Sequence, residues 1–225
     1  MDCPHRKTKK KLRQRLGILR RLKYSLPRFA LKQVAEAIFT SNMRYGIALY
    51  CKPKLREEEP SNKTLRELTL LQNKMMRIIT GKKTSDRISI ESLQKTTGTT
   101  SVNHIAVYHI LMETYNILCN GGSSALKKML TDTLGTHSMT TRSVSSYKVV
   151  QQQNMGKKND FLYYGAALWN MIPNELRLTY LSRPEKSDAS APLPGSKTEG
   201  KLKAWRKNKF KKGIKKWIAT NIPPE

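Results

Sequence analysis

Metal-dependent phosphoryl transfer needs carboxylates close enough to share a divalent cation. The 225-residue chain has five aspartates, Asp2, Asp86, Asp132, Asp160 and Asp188, and none adjoins another acid. Glu57-Glu58-Glu59 is contiguous, but Pro53 and Pro60 flank it and Lys54 and Arg56 stand beside it. That pattern is a solvated loop and a poor frame for fixed coordination. His104 and His109 fall about 140° apart on a helix, so one face cannot present both to a metal. His5 and His137 sit in stretches without periodicity. Cys3, Cys51 and Cys119 form no C-x-x-C pair, which argues against a disulfide framework and against zinc. They read as reduced thiols of the cytosol or nucleus. Neither a Gly-rich phosphate loop nor a G-x-S-x-G elbow is present. The residues support no enzyme class, and they imply no catalytic group, metal, cofactor or small-molecule substrate.

The chemistry the chain does offer is cationic. Lys and Arg number 43 against 16 Asp and Glu, a formal net charge of +27. Such a charge repels itself unless something negative lies close. A phosphate backbone is the usual partner, because each Lys or Arg contact also releases a condensed counterion. An anionic membrane surface or an acidic protein is the competing partner, and both favour a basic amphipathic helix. The charge is also uneven. Residues 1–56 hold 16 Lys or Arg and two acids, Asp2 and Glu36, a net of about +14. No apolar run is long enough to span a membrane. Met1 to Arg15 is charged without a following apolar region, so no secretory signal is expected. The expected location is nuclear or cytoplasmic.

Helices must position these cations. From Arg6 to Leu26, spacing of about 100° per residue puts Leu12, Leu16, Leu19, Leu22 and Leu26 on one arc. Arg6, Lys10, Arg13, Arg20 and Arg21 then fall on the opposite side. Pro27 ends this helix and suits the first turn of the next. Leu31, Val34, Ala35 and Ile38 continue a stripe, with Tyr45 and Leu49 on the same arc if the helix passes Gly46. A helix over Lys63 to Thr80 carries Leu65, Leu68, Leu71, Met75, Met76 and Ile79, with Arg66, Asn73, Lys74 and Arg77 across from them and Gly81 as its stop. Ser89 and Ser101 read as N-caps. The helix after Ser101, reaching Leu118, has little polar face and belongs in a core.

Residues 131–159 are rich in Thr, Ser, Gln and Gly and read as irregular, with a strand expected over Tyr147 to Val150. Asp160 caps a helix through Trp169 that Pro173 breaks. Residues 181–200 read as a Pro/Ser/Gly linker. The tail from Lys201 to Ile222 reads as helical, with Phe210, Ile214, Trp217 and Ile218 on one side and Lys209, Lys212 and Lys216 on the other. Leu202 and Trp205 fall off that stripe, which requires either a helix covered on two sides or a break at Asn208. The expected class is all-α. Its divisions are a helical bundle over 1–130, an irregular segment plus helix over 131–180, a linker over 181–200 and a basic amphipathic helix over 201–225.

Five stretches, in order, resemble the region downstream of the polymerase palm in non-LTR (LINE-type) retrotransposon reverse transcriptases. They are Arg15-Leu16-Gly17-Ile18-Leu19-Arg20-Arg21-Leu22 with Leu26-Pro27, Tyr45-Gly46-Ile47-Ala48-Leu49-Tyr50, and the most specific, Leu71 to Gly81. The others are Ala166-Ala167-Leu168-Trp169-Asn170 with Ile172-Pro173 and Leu176-Arg177, and Phe210-Lys211-Lys212 with Lys216-Trp217-Ile218. Together they span most of the chain. The resemblance implies a thumb-like helical bundle that grips nucleic acid (RNA, DNA or an RNA–DNA duplex) by its backbone. The Phe/Tyr-Ala-Asp-Asp motif that holds the family's catalytic metals is not in the chain, and neither are its endonuclease and zinc knuckle, so polymerase activity does not carry over.

The expected contacts to nucleic acid are Arg6, Lys10, Arg13, Arg20, Arg21, Arg66, Lys74, Arg77, Lys209, Lys212 and Lys216. Phosphate contacts of this kind position a duplex without reading its sequence. Lys74 and Arg77 read equally well as the wet face of a core helix. Trp169 is expected as a core anchor more than as a base-stacking platform, and Phe210 and Trp217, which could also stack on bases or rest on a membrane, as closing the bundle. The rival readings are an interaction module using the basic tail helix and a decayed element with no selected function.

Overall fold

The computed structural model of the chain describes residues 4–60, 62–119, 123–131, 161–180 and 197–224. Among these residues the protein is all-α, with no strand. The helices fall into two compact units, Met1–His109 with Ile222–Glu225, and Ile110–Asn221. The strand expected at Tyr147 to Val150, the Asp160 cap and residues 132–159 of the irregular segment lie outside the described residues. So does most of the expected linker, whose last four residues already belong to a helix.

In the first unit, α1 (Pro4–Leu22) buries Leu12, Leu16 and Leu19. It stops short of Leu26, because the chain folds over Lys23 to Ser25, where Ser25 N and Leu26 N both donate to Leu22 O, at 3.0 and 2.9 Å. Leu22 and Leu26 still pack, partly buried, on the core. Pro27 is extended (ψ 155) and stands just outside α2 (Arg28–Ala35), not in its first turn.

The helix then widens through a π turn, Glu36–Thr40, into α3 (Ser41–Arg44). Leu31, Ala35, Phe39, Met43 and Ile47 are all buried. Steps of four residues drift by about 40° each on an ideal α-helix, and the wider π turn takes back part of that drift. Helicity breaks at Tyr45 and resumes in α4 (Ile47–Tyr50), through Gly46 at φ +68, a left-handed conformation that glycine adopts without a Cβ penalty. Tyr50 Oη closes the turn by donating to Met43 O at 2.7 Å. The uninterrupted arc therefore fails, and Tyr45 and Leu49 face solvent, at 85% and 78% exposure.

Helix α5 (Lys63–Thr80) has the expected bounds. The Asn62 side chain accepts from Thr64 N at its start. Gly81, at φ +75, ends it, with Lys82 N reaching back to Arg77 O at 3.1 Å. Ser89 and Ser101 do cap: their hydroxyls accept from Ser92 N and His104 N, each at 3.2 Å. They open α6 (Ile90–Thr97) and α7 (Val102–Cys119). Asn103, with no exposure, ties three backbone groups together: its Oδ1 accepts from Lys54 N at 2.8 Å, and its Nδ2 donates to Lys54 O and Pro223 O at 2.8 and 2.9 Å.

The second unit contains the later part of α7, α8 (Ser124–Thr131), α9 (Phe161–Met171), α10 (Asn174–Arg177) with a tight turn over Leu178–Tyr180, and α11 (Lys197–Asn221). Phe210 is fully buried, stacked on Tyr115 (ring centroids 4.3 Å apart) and tilted against Trp169 (5.9 Å). Trp169 is thus the core anchor it was expected to be, and Phe210 closes the bundle; Trp217 is half-buried. Helix α11 continues through Asn208, with Leu202 and Trp205 half-buried. Gly213 lets it lie directly on α10, since a Cβ there would overlap Leu176. Arg177 is buried and folds its own loop, donating to Trp169 O and Asn170 O at 3.3 Å each and to Asn174 Oδ1.

Candidate nucleic-acid interface

On α1 the five expected cations, Arg6, Lys10, Arg13, Arg20 and Arg21, occupy an arc of about 100°, and the buried leucines a separate arc of about 60°. All five are exposed. Arg6, Arg13 and Arg20 nearly align, over an axial length of about 21 Å. On α5, Arg66 and Lys74 are exposed, Arg66 across from the buried Leu68, Leu71 and Met75 and Lys74 at the edge of that stripe. On α11, Lys209, Lys212 and Lys216 are exposed, while Phe210, Ile214 and Ile218 are buried. The Lys209 ammonium lies 5.1 Å from the centre of the Trp205 ring. The first eight cations belong to the first unit and the last three to the second.

Arg77 behaves differently. Its Nη1 donates to Lys83 O at 2.5 Å and Asp86 O at 3.2 Å. The guanidinium thereby holds the loop after Gly81, whose Asp86 carboxylate also accepts from Lys83 N at 2.8 Å. That loop presents Lys82, Lys83 and Arg87, all exposed. Sequence reasoning passed over these three, although two cations directly after a glycine stop are a readable signal. Arg28 is likewise committed to the fold, with Nη2 donating to Thr80 O at 2.9 Å at the C-terminal end of α5. Such placement also suits the negative end of the helix dipole.

Ion pairs among the described residues join Lys9 to Glu67, and Arg44 to Glu36 at 3.0 Å. None of the eleven expected cations takes part. The Glu57-Glu58-Glu59 run is an exposed turn in which the Glu59 carboxylate accepts from Leu55 N at 3.1 Å. No group of three His, Cys, Asp or Glu side chains among the described residues is placed to hold a metal ion. His104 Nε2 is instead hydrogen-bonded to Ile222 O at 2.8 Å.

No family model, curated protein or solved structure matches the chain.

Two aromatic rings were also missed. Tyr24 and Phe29 are 87% and 72% exposed, in a stretch that holds Arg20, Arg21, Lys23 and Arg28 and no acid. Burial raises two other groups in the second unit, the Cys119 thiol and the Tyr115 phenol, each pushed up to about 12. Both stay neutral at physiological pH and belong to the packing, not to the basic surface. No described helix is long and apolar enough to cross a membrane.

Proposed function

We propose that the protein is a non-catalytic nucleic-acid-binding module that grips phosphate backbones with little regard to base sequence. The observation that carries this reading is the division of each basic helix. On α1 and α5 the apolar stripe is buried in the first unit's core, and on α11 Phe210, Ile214 and Ile218 are buried. The exposed cations Arg6, Lys10, Arg13, Arg20, Arg21, Arg66, Lys74, Lys209, Lys212 and Lys216 take part in no ion pair among the described residues. A helix that docks on a membrane or in a partner's groove must offer its apolar face. With Phe210, Ile214 and Ile218 buried and Leu202, Trp205 and Trp217 half-buried, the tail presents chiefly its lysines. Charge without a free apolar face suits a polyanion. The five family-like stretches further suggest descent from the thumb and C-terminal region of a non-LTR reverse transcriptase. The chain lacks that family's paired catalytic aspartates.

The test is a salt series on two duplexes of unrelated sequence. Engagement of six to ten cations lowers affinity by about 10³–10⁵ between 50 and 200 mM salt, alike for both. A flat dependence refutes the reading. Primer extension with Mg²⁺ that is lost on replacing a carboxylate of this chain would refute its non-catalytic part.

A further inference from the structure

We propose that the turn between α1 and α2 and the hollow beside it form a site for unpaired nucleobases, with Tyr24 and Phe29 as the stacking rings. This deepens the reading of a phosphate-gripping surface and rests on it. The stretch Arg20-Arg21-Leu22-Lys23-Tyr24-Ser25-Leu26-Pro27-Arg28-Phe29 contains four cations, two aromatics and no acid. The fold anchors its aliphatic residues and leaves its rings outside. Leu22 and Leu26 pack on the core, while Tyr24 and Phe29 are 87% and 72% exposed.

Backbone hydrogen bonds run through the platform. Tyr24 N and Ser25 N donate to Arg21 O and Leu22 O, at 3.4 and 3.0 Å, and Leu31 N donates to Pro27 O at 3.0 Å. Arg28 pins the start of α2 to the end of α5 through Thr80 O. The Lys23 ammonium sits 5.9 Å from the centre of the Tyr24 ring, a cation placed for the phosphate beside a stacked base. Phe29 also forms one wall of a hollow of about 260 Å³, with Lys32, Gln33, Glu36 and Arg44 along it. Arg44 pairs with Glu36 there, and the Lys32 ammonium has no ion pair among the described residues. A flat ring, an amide and a free ammonium around one cavity match a base with its phosphate. In a paired duplex the base faces are stacked on one another, so the site selects single strands or unpaired ends. A lipid surface would need an extended apolar face, and the α1 leucines that could supply one are buried.

The experiment uses the full chain with a short labelled oligo(dT), a blunt duplex of equal length, and phosphatidylserine vesicles. Stacking predicts that Tyr24→Ala and Phe29→Ala each weaken oligo(dT) binding by about 5-fold to 150-fold and shift duplex binding by less than about 2-fold. Tyr24→Phe keeps the ring and retains oligo(dT) affinity. Equal losses on both nucleic acids, or no loss on oligo(dT), overturn the inference. Vesicle binding that depends on Tyr24 while oligo(dT) binding does not also overturns it, in favour of a membrane surface. Failure of the underlying reading is separate: duplex binding by the unaltered chain would then be absent or independent of salt, whatever the ring variants do to oligo(dT).

Discussion

Replacing Arg13, Arg20 and Arg21 together with alanine tests the α1 surface most directly. The three side chains are exposed and lie on the arc that avoids Leu12, Leu16 and Leu19. No ion pair or hydrogen bond among the described residues uses their guanidinium groups, and alanine is at least as good a helix former as arginine. The fold should therefore survive. Each phosphate contact contributes about 0.9 to the slope of log affinity against log salt. Three contacts make about 2.7, and at 0.1 M salt the same counterion release amounts to about 2.7 decades of affinity, roughly 500-fold. One engaged contact gives about 0.9 decade, roughly 8-fold. Fluorescence anisotropy on two unrelated duplexes at several salt concentrations measures both quantities. A slope unchanged by the triple substitution, in a chain that still binds duplex, would remove α1 from the interface. The comparison variant is Lys209→Ala with Lys212→Ala and Lys216→Ala, expected to cost less. Deleting the chain beyond Gly200 is no substitute, because it also removes the buried Phe210, Ile214 and Ile218.

Phe210→Ala should destabilise the second unit by about 3–5 kcal/mol, read as a lower urea midpoint, since a fully buried ring stacked on Tyr115 is lost. Asn103→Leu leaves the Lys54 N–H and C=O and the Pro223 C=O without their partner, at about 1–3 kcal/mol for each group left buried and unpaired. An unchanged urea midpoint for the first unit would show that water replaces the side chain at no cost. Stability should also fall as pH rises from 9 towards 12. The Cys119 thiol, ordinarily near 9.0, and the Tyr115 phenol, ordinarily near 10.0, are both pushed up to about 12. The unfolded chain therefore releases these protons first, and the stabilisation present below pH 9 is lost through that window. Cys119→Ala should flatten the early part of the alkaline loss, and an identical profile counts against the half-buried thiol as a cause. At +27, added salt should raise the melting temperature of the free protein, and duplex at 100 times its Kd should add about 2.7 kcal/mol. Melting that falls steadily with salt would contradict the self-repulsion.

What was legible in the sequence was local. Lys63 to Thr80 was readable because Asn62, a clean apolar stripe and Gly81 all agree on one helix. Ser89 and Ser101 were readable for the same reason: a cap is a contact over three residues. The stretch from Arg28 to Tyr50 was read less well. A periodicity argument assumes a constant turn, and the π turn at Glu36–Thr40 shifts the phase in a way no single residue announces. The cations were easy to find and hard to rank. Arg66, Lys74 and Arg77 share one helix face, yet only Arg77 is spent on carbonyls, those of Lys83 and Asp86, contributed by a loop whose path the helix pattern does not specify. Tyr24 and Phe29 were passed over because aromatic residues are expected in a core. Their exposure follows from where Leu22, Leu26 and Arg28 fasten the turn.

Basic amphipathic helices are ambiguous in sequence because one pattern serves two ends. Lys209, Lys212 and Lys216 beside Phe210, Ile214 and Ile218 would describe a membrane-surface helix as well as a bundle helix. The difference lies in what covers the apolar side, and that is a tertiary property. Here Tyr115 and Trp169 cover Phe210, and Gly213 allows α11 to close onto Leu176. Drawing the helix out to insert in a bilayer would expose that core. Transfer of a few buried side chains at about 1.5–3 kcal/mol each would use up much of the stability of an ordinary domain. A polyanion asks for no such rearrangement, because the lysines already face outward. The same logic holds on α1, where Leu12, Leu16 and Leu19 are committed to the first unit and the arginines are not. Burial of the stripe thus turns a charge pattern shared by several functions into an argument for one of them.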